Sequence, residues 1–175
     1  MANREALREL QSRLAERLQR IRTEAQTAAW LAVESAGCPL LLPLAGAGEI
    51  FAAGTLLPVP HTQPWFVGVT NLRGNLHGVV DMASFVGLRS APRAEALRDG
   101  ARLVALNPAF GAHCALLVDR LAGLRSVEQM RREPDDGVRR PRFAAGVWRD
   151  GDGLRWQEID LEALARHEQF LGIAA

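Results

Sequence analysis

Hydrophobic residues along this chain fall into two textures. Over the first thirty positions Leu7, Leu10, Leu14, Leu18, Ile21 and Ala25 recur at steps of three and four, the spacing that lays side chains on one face of a helix. The pattern predicts an amphipathic helix over residues 1–29, running from about residue 3, with Asn3 as its cap and Glu5 well placed in the first turn. From Trp30 onward the apolar segments shorten, and Gly and Pro punctuate them. Strands are expected near 30–35, 39–45, 47–52, 65–70, 76–81, 102–107, 112–118, 120–127, 143–149 and 153–159. Turn chemistry stands at Gly37, Asn107-Pro108, Gly111 and Asp150-Gly151-Asp152-Gly153, the last between two apolar runs in the manner of a hairpin. Many short strands with turns between them point to small barrels or a sandwich.

Three stretches break this rhythm. Residues 89–100 are polar and Ala-rich, a loop or short helical turn between two strand-rich halves, each with room for one small barrel. Residues 130–141 (MRREPDDGVRRP) are dense in charge, hold two prolines and show no apolar period, so they read as a mobile exposed loop. The tail returns to helical spacing through Leu161, Leu164, Ala165 and Phe170, with Asp160 as the candidate cap.

Composition narrows the possible chemistry. All 21 basic side chains are Arg. The absence of Lys excludes a Walker A phosphate loop, Schiff-base catalysis and a protein kinase of the usual plan. The formal net charge is +1 with acids and bases interspersed, which gives no basic stripe for nucleic acid. No apolar run approaches the roughly 20 residues that span a bilayer. The charged start, MANREALREL, lacks the apolar centre of a signal peptide, and a cytoplasmic location is expected. In a reducing compartment Cys38 and Cys114 read as buried thiols.

A search for catalytic constellations yields little. His61, His77, His113 and His167 show no metal-ligand spacing. His77 and Asp81, four apart on a strand, would stand roughly 13 Å from one another at the usual strand rise, too far to share an ion. Cys114 neighbours His113, but adjacent strand residues point to opposite faces. The carboxylate pairs Asp135–Asp136 and Asp150–Asp152 lie in polar Gly-containing turns, where nothing desolvates them into general acids. No catalytic residue, cofactor or metal ligand is assigned.

The informative stretch is residues 64–88, PWFVGVTNLRGNLHGVVDMASFVGL. Two apolar strands flank a turn at Asn71-Leu72-Arg73-Gly74, where Asn bonds its own backbone and Gly accepts positive φ. The guanidinium of Arg73 would then project from a rigid corner, its donors suited to a carboxylate or to backbone carbonyls. Read locally, it is also an ordinary exposed Arg at a hairpin.

The run from Phe66 to Gly74, followed by Gly78-Val79-Val80-Asp81-Met82, resembles the signature of the CheW-like coupling proteins. Further similarity follows in order: residues 44–50 (LAGAGEI) with a Glu-Ile pair, residues 101–124 with an apolar-Val-Asp stretch, and residues 143–164 as a closing hairpin and helix. Trp65-Phe66 and Asn75-Leu76-His77-Gly78 resemble the PilI-like, twitching-motility branch, whereas the chemotaxis branch more often has an apolar residue and Pro where His77 and Gly78 stand.

The resemblance implies an all-β core in residues 30–170. That core would be two five-stranded SH3-like barrels, with the N-terminal helix and a short C-terminal helix added. It implies a non-enzymatic adaptor. Its partners would be the regulatory domain of a CheA-type histidine kinase, met by barrel-edge pairing, and the cytoplasmic tip of a methyl-accepting chemoreceptor, met in a groove between barrels. No nucleic acid and no direct membrane insertion are implied, and recruitment to membrane receptor clusters is. The alternatives are a flagellar chemotaxis coupling protein or a small cytoplasmic enzyme. The residues carried over as partner-binding are Arg73, Gly74, Asn71, Leu72 and Glu49, with Arg73 either contacting a partner or bracing its loop through Glu49. Trp65 and Phe66 join them, because strand alternation would bury one and expose the other. The N-terminal helix either packs on the barrels or binds a partner.

Overall fold

The computed structural model describes residues 9, 13–16, 28–90 and 100–175. Its elements are β1 (Ala28–Ser35), β2 (Cys38–Pro43), β3 (Ala47–Ala52), β4 (Phe66–Leu72), β5 (Asn75–Asp81), α1 (Met82–Phe85), β6 (Arg102–Leu106), β7 (Cys114–Val118), β8 (Arg120–Ser126), β9 (Met130–Arg132), β10 (Ala144–Asp150), β11 (Arg155–Ile159), α2 (Leu161–Ala165) and α3 (Glu168–Leu171). All ten expected strands form. Of the helix expected over residues 1–29, Glu9 and Arg13–Glu16 are helical, Ala28 and Ala29 belong instead to β1, where they extend its pairing with β8 and β2, and the rest lies outside the described residues, as do positions 91–99.

The strands make two sheets, ordered β8-β1-β2-β11-β10-β9 and β3-β6-β7-β5-β4. Each curls toward closure. In the first, the edge strands β8 and β9 are one run of chain bent at the 3-10 turn Val127–Gln129, so six strands occupy five barrel positions. In the second, Leu57 just beyond β3 bridges back to Val69 of β4, with both N–H···O distances at 2.8 Å. The division corrects one expectation. The barrels do not follow the two sequence halves, since β1 and β2 join β8–β11, while β3–β5 join β6 and β7 across the 89–100 connection. Two parallel pairings, β5 with β7 and β11 with β2, knit distant segments together.

The near-continuous apolar runs follow from burial on both faces. Leu31, Val33, Leu40, Leu42, Val80, Val104, Leu116 and Val118 point to a large core shared by the two sheets. Their alternates fill the barrels: Leu72, Val79, Leu103, Ala115 and Leu117 in the five-strand barrel, Trp30, Ala32, Leu41, Met130 and Trp156 in the other.

Two further corrections concern the irregular stretches. Met130–Arg132, expected to be loop, forms a short strand against β10. A three-residue edge strand has no apolar period of its own, and its pairing partner selects it. The tail helix is two single turns, α2 and α3, after which Ile173–Ala175 returns to bond His61–Gln63. Asp160 caps α2 as expected, accepting the Ala163 N–H at 2.9 Å.

Candidate partner-docking site

Leu72 and Asn75 form the last pair of the β4–β5 hairpin, which leaves Arg73 and Gly74 as a two-residue turn. Both take positive φ, 50° and 86°, the signature of a type I′ turn. The Asn71 side chain accepts the Gly74 N–H at 2.7 Å and fixes the corner. Arg73 forms an ion pair with Glu49 on β3, with side chains 74% and 44% exposed. Both residues line a groove of about 950 Å³ between β3 and the β4–β5 hairpin. Ile50, Leu57 and Leu76 line the groove and are exposed. The site thus offers a cation, a carboxylate and three apolar side chains on one open flank, a composition suited to protein contact.

Arg73 and Glu49, 24 positions apart in the sequence, are brought together, and Asn71 and Gly74 build the corner that carries Arg73. The other expected contacts are not surface residues. Leu72 is buried in the core of the five-strand barrel. Trp65 and Phe66 are both buried, which overturns the expectation that one faces solvent. Alternation fails here because Trp65 lies before the strand begins and a register shift follows Phe66. Trp65 instead stacks on Phe170 at 6.4 Å and meets Phe85 edge-on at 5.1 Å. Ile50, Leu57 and Leu76 escaped the sequence reading, since an exposed aliphatic side chain carries no local signal.

Cys114 is buried, and desolvation, only partly offset by a backbone hydrogen bond with Ala115, pushes its thiol up to about 12. At neutral pH it stays protonated, a poor nucleophile. His113 and His77 meet edge-on at 5.8 Å. Among the described residues no group of three or more metal-capable side chains gathers. Asp136 is held down to about 2 by its bidentate bond from Arg140, and it therefore stays ionised. Burial acts to raise Asp150, but bonds from the Trp156 indole and from backbone N–H groups outweigh it and lower its pKa.

The model of the CheW-like domain matches residues 30–169, an interval that takes in both barrels and the Arg73 corner. The chain belongs to the CheW-like domain family. Protein PilI of Pseudomonas aeruginosa (strain PAO1) is 27% identical over 138 residues, covering 75% of this chain and 72% of that protein. The crystal structure of the scaffolding protein TtCheW from Thermoanaerobacter tengcongensis superposes with a TM-score of 0.63 at 18% identity, over 77% of this chain and 90% of that one. The CheW-like two-barrel fold is thereby shown, with residues 1–29 outside the matched interval. Among the described residues no helix is long and apolar enough to cross a membrane.

Proposed function

We propose that this CheW-like protein is a non-enzymatic coupling scaffold. It joins the cytoplasmic tip of a methyl-accepting chemoreceptor to the regulatory domain of a CheA-type histidine kinase. The likeness to PilI supports a pathway that governs type IV pilus twitching motility, in which the protein is cytoplasmic and recruited to receptor clusters at the membrane. The observation that carries the reading is the Arg73 corner. An exposed guanidinium, presented from a rigid turn and held over an apolar groove, suits capture of another protein surface. The residues Arg73, Glu49, Asn71 and Gly74 form the docking corner, and Ile50, Leu57 and Leu76 extend it.

The test is binding of the purified chain to a kinase regulatory domain and to a receptor cytoplasmic fragment, by calorimetry and by activation of kinase autophosphorylation. Wild type should bind both at once. Arg73→Ala should lower affinity for at least one partner by about 30-fold, the scale of an interface hot spot, with an unchanged circular dichroism spectrum. Failure of folded wild type to bind either partner would overturn the reading.

A further inference from the structure

Arg89 stands apart from the docking corner and is tied by its fork to both barrels. Its side chain is only 11% exposed. One arm, Nη1, donates to Asp81 Oδ2 at 3.2 Å, and the other, Nη2, donates to both oxygens of Asp119 at 2.9 and 2.7 Å. Asp81 ends β5 in the five-strand barrel and is itself 1% exposed. Its oxygens also cap α1, accepting the Ala83 and Ser84 N–H groups at 3.0 and 3.4 Å and the Ser84 hydroxyl at 3.1 Å. Asp119 is the one residue between β7 of the five-strand barrel and β8 of the six-strand barrel. Its Oδ2 accepts the Ala36 N–H at 2.7 Å, in the β1–β2 turn, and its own N–H donates to the Glu34 carbonyl at 2.9 Å. Desolvation pulls against the charge of Arg89, but Asp119 and Asp81 outweigh it and hold the pKa above its ordinary value.

The placement matters because the chain crosses between the barrels at only two short links among the described residues, residues 44–46 between β2 and β3 and the single residue Asp119 between β7 and β8, the latter with one pair of soft torsions. The shared core resists separation, yet apolar contact is non-directional. A planar fork bound to carboxylates on both sides of the link is directional, and setting a unique arrangement is the best-attested use of buried ion pairs.

We propose that Arg89 is a positioning residue whose clamp across the β7–β8 link, buried at Asp81 and partly exposed at Asp119, fixes the orientation of one barrel relative to the other. The clamp needs no partner, so its test is independent of the coupling reading.

At 19.1 kDa the chain suits residual dipolar couplings by NMR. In wild type, one alignment tensor should fit the amides of both barrels. In Arg89→Met, each barrel should fit by itself while the joint fit fails, and exchange of the Ala36 amide should rise at least 10-fold. Loss of stability alone would leave the orientation of the folded molecules unchanged. Arg89→Lys, a single point charge in place of the fork, should fall between the two. Should Arg89→Met fail to fold, Asp119→Asn leaves the Asp81 arm in place, weakens the bonds from Arg89 and from the Ala36 N–H, and should show the same failure of the joint fit in milder form. A joint fit as good as that of wild type in the folded variants would overturn the proposal.

Discussion

Gly68 shows how much one residue holds. Its φ is 134°, and a Cβ added there would stand 2.3 Å from the Leu57 carbonyl oxygen. That carbonyl accepts the bond from Val69 that closes the five-strand barrel. Gly68→Ala therefore meets backbone strain and a clash at once and should cost roughly 2–5 kcal/mol in urea unfolding. Gly37→Ala, at φ 75° with open space around it, should cost only about 1 kcal/mol. Cys114 gives a second check at this scale. With its thiol pushed up to about 12, it stays protonated at pH 8. A thiol reagent should therefore leave it unmodified in the native protein and titrate it fully in denaturant. Rapid native modification of Cys114 would contradict its burial.

The β4–β5 hairpin breaks a local rule, as the β1–β2 hairpin does with Ala36 at φ 51°. A type I′ turn favours Asn-Gly, because both central residues take positive φ. This chain places Arg73 there at φ 50°, a conformation that costs a residue bearing a Cβ about 1–2 kcal/mol. The exposed pair with Glu49 returns only about 0–1 kcal/mol. Strain that is not repaid locally points to a use elsewhere. Arg73→Asn should accordingly leave stability equal to or above that of wild type in thermal melts, while partner affinity falls as in Arg73→Ala. A clear loss of stability would mean that the Arg73–Glu49 pair is chiefly a structural brace.

On the scale of the whole molecule, the shared core makes two barrels one cooperative body. Leu116 on β7 is fully buried in that core and Leu103 on β6 is fully buried inside the five-strand barrel. Leu116→Ala should cost about 2–5 kcal/mol. Because Leu116 supports both sheets, the loss should move the fluorescence transition, to which Trp30, Trp148 and Trp156 of the six-strand barrel and Trp65 of the shared core contribute, together with the far-ultraviolet transition of the whole chain. Two separated transitions would show that the barrels unfold independently.

Local sequence determined the ten strands, the turns at Gly37 and Asp150–Gly153, the Asp160 cap and the Asn71–Gly74 corner, because alternation, glycine φ and side-chain caps act within a few residues. The motif around Arg73 also carried the family. Tertiary structure decided what depends on neighbours remote in the chain. It mixed the two sequence halves between the barrels, drew β9 out of a charged stretch through its pairing with β10, and buried both Trp65 and Phe66. It also set Ile50, Leu57 and Leu76 in one groove and clamped Arg89 between Asp81 and Asp119. A strand's own residues specify its pleat, but its partner, its register and the faces it buries are fixed by the segments packed against it.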